Sequence, residues 1–341
     1  MKNNKKIIAI VLIVLVVGVL LFKTLEPYFK KAKSAENNTT ESGAVLEPAD
    51  FMTDSCYAFI EKQVAFGPRV PGNSNHMSCG NWLIQKFKSY NCTIKEQVGS
   101  MPNWEGGTTP VRNIIASIHS EAKKRIVLAA HWDSRPYGDK DPDPSKHKQP
   151  IDGANDGASG VGVLLELARI SKDLPADIGI DFILFDSEDG GKPEWAEDGA
   201  NDENSWCLGS QMWAKQRPQR TMRYAVLLDM VGAEGARFNK EGYSMQAAGN
   251  AVNRIWGNAA KLGYGEYFQN EEIGGIIDDH KFMIQANIPT LDIIDMRPNY
   301  MGTQFEFGSS HHTHADNMSV ISKPTLKAVG HTLAYTIWNL Q

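Results

Sequence analysis

A chain of 341 residues, 42% apolar and 22% charged, can bury one large core or two ordinary ones. Its net charge of -5, without a block of like charges beyond the N-terminus, excludes the concentrated basic face that a nucleic-acid partner requires. Cys56, Cys79, Cys92 and Cys207 form no C-x-x-C pair, which argues against a cysteine zinc site and leaves any disulfide pairing open.

The first residues are the compositional outlier. Lys2, Lys5 and Lys6 precede an unbroken apolar run, Ile7 to Phe22, closed by Lys23. At 1.5 Å per residue the run falls somewhat short of a ~30 Å hydrocarbon core, and snorkelling lysines with Leu25 extend it. A secretory signal has an equally short core, but no small-x-small site follows closely and no cysteine is placed for lipidation. The expectation is an uncleaved signal-anchor over residues 7–25, with residues 1–6 cytoplasmic. Lys30, Lys31 and Lys33 on the far side reduce that charge asymmetry. The remainder would then lie outside the membrane, at a bacterial periplasmic face or in a eukaryotic secretory lumen. Residues 26–46 read as a linker, and residues 47–341 as the globular domain.

Helical spacing is expected over 52–65 and 76–89, followed by neighbouring strands at Val111 to Ile118 and Arg125 to Ala130. Gly157 to Ser171 is helical, with Val161, Leu164, Leu165 and Ala168 on one face. Ile178 to Phe185 is a buried-type strand, and a long polar insertion runs from it to Cys207. A helix around Gly209 to Lys215, a strand at Tyr224 to Leu228 and a helix at Ala251 to Leu262 come next. Helix 279–286, strand Thr290 to Ile294 and a closing helix started by Ser322-Lys323-Pro324 complete the series. Strands alternating with helices imply an α/β domain whose central, mostly parallel or mixed sheet is covered on both faces. Such folds bind ligands at the carboxyl ends of their strands.

That edge is where the acids and imidazoles fall. His131-Trp132-Asp133 follows one strand, Asp186-Ser187-Glu188-Asp189 follows another, and Asp229 ends a third. Asp156 precedes a helix, Asp278-Asp279-His280 opens one, and His311-His312-Thr313-His314 lies in a late loop. Each has an ordinary reading alone: His131 as a packed histidine, Asp156 as a helix cap, Glu188-Asp189 as a solvated pair. Asp229 is harder to dismiss, because it ends an apolar run where an unpartnered charge is costly. Together they form a hard-to-borderline donor set without thiolate, suited to zinc at an open, catalytic site.

The order H-x-D, G-A-N-D-G-A-S-G-V, an acidic pair after a strand, L-L-D-M and H-T-x-x-D-N resembles the zinc aminopeptidase clan, over roughly residues 50–341. Within that clan, Pro68-Arg69-Val70-Pro71-Gly72, Leu227 to Ala233 and Gly274-Gly275-Ile276-Ile277-Asp278-Asp279-His280 are similar to the glutaminyl cyclases. The resemblance implies a zinc-aminopeptidase-like fold and one zinc on Asp156, Asp189 and His312. It implies Glu188 as general acid-base and Asp229 with Asp278 as paired acids sharing a proton near the leaving nitrogen. Trp195, with Trp206 as its competitor, and Ile277 would line the substrate pocket. His131 and Asp133 would support the site or hold a second metal. The substrates would be peptides and proteins with N-terminal glutamine. In the alternative, a two-zinc aminopeptidase, His131, Asp156, Asp189, Asp229 and His312 are ligands and Glu188 activates water. Three positions depart from the cyclase pattern: Asp189 stands where glutamate is common, and His311 and Asp292 where the animal enzymes have tryptophan and histidine.

Overall fold

The computed structural model describes residues 50–196, 203–216, 221–299 and 301–340. The proposed anchor and linker lie outside them, and among the described residues no helix is long and apolar enough to cross a membrane.

Two helices come first, α1 (Thr53–Val64) and α2 (Ser74–Ser89), and Asn73 caps the second by accepting from the His76 amide. Strands β1 (Thr93–Pro102), β2 (Thr108–Ile118) and β3 (Lys124–His131) lead to α3 (Ala158–Ile170) and β4 (Ile178–Phe185). There follow α4 (Leu208–Lys215), β5 (Ala225–Asp229), β6 (Phe238–Lys240), α5 (Gly242–Lys261) and β7 (Phe268–Glu272). Then come α6 (Asp279–Gln285), β8 (Thr290–Ile294), the short strands β9 (Arg297–Pro298) and β10 (Phe305–Glu306), and α7 (Lys323–Trp338). Ser322 caps α7, and Pro324 sits in its first turn, where its missing N–H costs nothing.

The main sheet has six strands in the order β1-β2-β4-β3-β5-β8. β3, β4, β5 and β8 run parallel, while β2 is antiparallel to both β1 and β4. Alternate residues of each strand face opposite layers. Ile126, Leu128, Ile180, Phe182, Val226 and Leu228 join the large core beneath α1, α2, α3, α5 and α7. Val127, Ala129, Ile183, Phe185, Ala225 and Leu227 join a smaller core under α4 and α6. Each valine, leucine, isoleucine or phenylalanine among them contributes roughly 1.5–3 kcal/mol on full burial.

Two expectations are corrected, and one strand lacked any signal in the sequence. The strands at Val111 and Arg125 are not neighbours, because β4 lies between them. Their five-residue connection, at ~3.3 Å per residue, is long enough to cross the start of one intervening strand. β1 carries too few apolar side chains to show a period: it is a mostly exposed edge strand, held by backbone pairing to β2. The helix expected from Ala251 begins at Gly242, and a non-helical residue at Ala248 (φ -140°, ψ 29°) breaks its apolar repeat.

Candidate active site

Every strand of the parallel set delivers a polar residue to its carboxyl end, and the turns there are sharp. Ser187 (φ 55°), Cys207 (φ 56°), Met230 (φ 49°) and His312 (φ 58°) all lie in the left-handed region, which non-glycine residues rarely adopt. Gly157 is required for a different reason: a Cβ there would collide with His131, so only glycine lets Asp156 approach the end of β3. The helix cap of α3 is Gly157 itself, without a side-chain bond, so Asp156 is not a capping residue.

Asp156 is buried and reaches both ways. Its Oδ1 lies 2.9 Å from His131 Nε2, and its Oδ2 lies 3.9 Å from His312 Nε2. The Asn155 and Asp156 amides donate to Asp316 at 2.7 and 3.1 Å, which fixes the loop. Asp189 Oδ1 stands 3.0 Å from His312 Nε2, and Asp189 Oδ2 is buried without a hydrogen-bond partner. His312 thus bridges the two carboxylates expected to share an ion. Trp206 lies parallel to its ring at 5.9 Å, and His311 stacks on it at 3.6 Å. His311 Nε2 also lies 4.0 Å from Asp156 Oδ2.

Asp133 backs this cluster without lining the cavity above it: its Oδ1 lies 3.5 Å from His131 Nδ1. Its carboxylate accepts the Glu188 and Asp189 amides at 3.1 and 3.2 Å and so holds the acidic pair in place. His131 Nε2 lies 3.2 Å from Asp229 Oδ1, which joins His131, Asp156 and Asp229 into one buried group. Asp186, although at the same edge, is engaged by His76 at 2.7 Å and the Arg112 amide at 2.6 Å.

A cavity of about 590 Å³ opens over these groups. Asp156, Glu188, Asp189, Asp229, Asp278 and His312 line it, with Met230, Ile276, Ile277, Ile294, Phe307 and Trp206 as its apolar wall. Trp195 is not in that wall. It packs edge-on against Trp104 and Tyr137 at 5.9 and 5.6 Å, because the insertion folds that ring onto the loops after β1 and β3. Trp206, eleven residues nearer to α4, takes the pocket position.

Burial raises the Glu188 carboxyl well above its ordinary range; Asp189, Asp278 and Asp279 add to this and His131 opposes it. Asp229 is lifted to about 8 by burial, then by Asp156 and Asp278, against the hydrogen bond to His131. Burial works against ionisation of Asp156, but its bond to His131 overrides this and holds its carboxyl low. Burial likewise raises Asp278. Asp278 and Asp292 come within 4.8 Å of each other beside His280, and Asp229 acts on both electrostatically. Asp278 Oδ2 and both Asp292 oxygens have no donor among the described residues, an arrangement of buried acids that favours a shared proton. Behind it, His280 lies 3.6 Å from Asp292 and 3.1 Å from Glu241.

The donor set fits zinc. Asp156 and Asp189 each approach His312, and Asp156, His311 and His312 bring ligand atoms within 4.8 Å of one another. Asp189 Oδ2 has no hydrogen-bond partner, and burial with Arg135 keeps His312 neutral, as a ligand must be. Sequence reasoning missed the groups that hold this set. Arg135 forks onto Asp139 at 2.7 Å, donates to the Asp189 carbonyl at 2.9 Å and lies 4.7 Å over the Trp206 ring. Its only signal was an arginine two residues beyond H-x-D. Cys207 donates to Glu188 Oε1 at 3.1 Å, and all four cysteines are free and buried.

Residues 113–337 match peptidase family M28, and the chain belongs to that family. Among solved structures it is similar to a Zn-dependent exopeptidase of Parabacteroides distasonis, with 48% identity over 85% of this chain and 99% of that one, at a TM-score of 0.81. It is similar to a glutaminyl cyclase of Bacteroides thetaiotaomicron (43% identity, 86% and 100% coverage, TM-score 0.82). A glutaminyl cyclase of Tannerella forsythia matches equally well (45%, 86% and 100%, TM-score 0.81).

Proposed function

We propose that the protein is a glutaminyl-peptide cyclotransferase, which closes N-terminal glutamine to pyroglutamate and releases ammonia. The observation that carries this reading is Asp278, a further buried acid whose carboxylate comes within 4.8 Å of Glu188 in the same cavity. Hydrolysis needs one base for water, whereas cyclisation must handle two nitrogens, so the added acid favours cyclisation. The similarity to bacterial glutaminyl cyclases supports it.

Asp156, Asp189 and His312 would hold one zinc, which when bound supplies a Lewis acid for the γ-carbonyl oxygen. Glu188 takes a proton from the attacking α-amine and returns it to the departing nitrogen. Asp229 and the Asp278–Asp292 pair accept hydrogen bonds from that nitrogen. Trp206 and Ile277 enclose a folded-back glutamine, so that an intramolecular nucleophile is presented at high effective concentration. The substrates are peptides and proteins whose N-terminal glutamine enters the cavity from outside the membrane, where residues 7–25 anchor the domain.

A second reading rests on His131, Asp156 and Asp229, whose ligand atoms also come within 4.8 Å of one another. A second zinc there would make Glu188 the base of an aminopeptidase. The deciding experiment offers the protein a Gln-initiated and a Leu-initiated peptide, with and without chelator, and counts zinc per chain. Ammonia release without a freed residue, at one zinc per chain, is expected. Release of leucine at two zincs would overturn the cyclase reading.

A further inference from the structure

Three of the four cysteines belong to the large apolar core: Cys56, Cys79 and Cys92. Cys207 belongs to none of the hydrophobic clusters, although it too is fully buried. Its surroundings are acidic, with Glu188 and Asp278 offering carboxylate oxygens within 4.8 Å of its sulfur. A buried cysteine ordinarily serves as a small hydrophobe. Here the sulfur stands among carboxylates instead of in a hydrophobic cluster.

The backbone is arranged to put the sulfur there. Cys207 takes a left-handed conformation (φ 56°, ψ 38°) just before α4, an uncommon state for a residue with a side chain. Its amide donates to the Glu188 carbonyl at 2.9 Å, and the Leu208 amide to the Ser187 carbonyl at 3.0 Å. These two bonds clamp the turn bearing Glu188 against the start of α4. The Cys207 thiol then donates to Glu188 Oε1 at 3.1 Å. Among the described residues no other hydrogen bond reaches the Glu188 carboxylate; His131 Nδ1, the nearest base, is 4.0 Å from Oε2.

We propose that Cys207 is a positioning residue for Glu188: its S–H fixes Oε1 against the protein and leaves Oε2 as the oxygen that exchanges protons. The inference rests on the cyclase reading for the reaction, but not for the hydrogen bond. A thiol suits the task because it is a weak donor. It orients the carboxylate without the strong stabilisation that a hydroxyl or an N–H would give the ionised form, which would make Glu188 a poorer base. Burial, and then Glu188 with Asp279 and Asp278, keep the thiol protonated, so the donor persists.

The test uses the wild type, Cys207→Ala and Cys207→Ser, each loaded with zinc and shown folded by circular dichroism. With a Gln-initiated peptide, C207A is expected to lose about tenfold in kcat at little-changed KM. C207S, which keeps a donor in place but a stronger one, should recover only part of that loss. A second arm reads the hydrogen bond directly: the S–H stretching band of Cys207, isolated as the infrared difference between wild type and C207A, should shift when Glu188 is changed to Gln. Wild-type kcat in folded C207A, or a band indifferent to Glu188→Gln, overturns the proposal. A wild type that makes no pyroglutamate at all defeats the cyclase reading instead, and the infrared arm still stands.

Discussion

The two ends of the sheet treat buried charge in opposite ways. At the amino end of β3, Arg125 makes five hydrogen bonds: two to the Asp181 carboxylate, at 2.7 and 2.8 Å, and three to the carbonyls of Ile118, His119 and Ile180. Ser117 donates to the same carboxylate, so Asp181 is served as well. At the carboxyl end, His131 Nδ1, Asp189 Oδ2, Asp278 Oδ2, His280 Nδ1 and both oxygens of Asp279 and Asp292 are buried without partners. Four of the left-handed non-glycine residues sit there too. A buried group that is fully satisfied has a structural role. Unsatisfied groups on a strained frame have to be completed by protons, a cation or a substrate, and that need is what makes the carboxyl end a site.

The largest effect expected is at that end. Glu188→Gln should lower ammonia release from a Gln-initiated peptide by about 10³-fold, while zinc content, measured by atomic absorption, stays at the wild-type value. Retained turnover would remove Glu188 from its role. Next, Asp278→Asn should cost about 100-fold in kcat and leave the urea midpoint unchanged or higher, because one of several mutually repelling acids becomes neutral. Arg125→Met should do the reverse. It strands Asp181 uncompensated and should cost about 3–5 kcal/mol, with the kcat of the remaining folded protein unchanged. If the two variants exchanged phenotypes, the contrast between the ends would be broken.

Titration sharpens it further. Glu241 is buried, which would raise its carboxyl, but bonds from His280 and Ser244 hold it down at about 2. A folded-state value below the unfolded one contributes stability above about pH 4, and that stability is lost as pH falls from about 4 to about 2. Asp229, lifted to about 8, has the opposite sign: zinc-free protein should lose stability as pH rises from about 4 towards 8. Urea midpoints across pH should therefore fall on both sides for zinc-free protein. Asp229→Asn should flatten the upper limb, and Glu241→Gln the lower. The smallest effect belongs to the aromatic residues: Trp206→Ala should raise KM about tenfold, and Trp195→Ala, which is outside the cavity wall, by much less.

Much of this was legible along the chain. Apolar runs mark β3, β4, β5 and β8, helical spacing marks α3, the Ser322-Lys323-Pro324 start marks α7, and the polar residues that follow β3, β4 and β5 point to the site. That worked because strand alternation and helix spacing are local, and because a parallel sheet collects its strand ends at one edge. Asp156, Asp189, His312, Glu188, Asp229 and Asp278 all line one cavity. What tertiary structure alone decided was partnership. β4 entered between β2 and β3, Trp206 rather than Trp195 took the wall, Asp292 joined the acids beside Asp278, and Arg135 and Cys207 closed around them. Contacts such as Arg135 to Asp189 join residues 54 positions apart, across loops whose paths follow from packing and not from any repeat in the sequence. A hydrophobic period records which face of an element is buried; it holds no information on which distant donor will meet a given carboxylate.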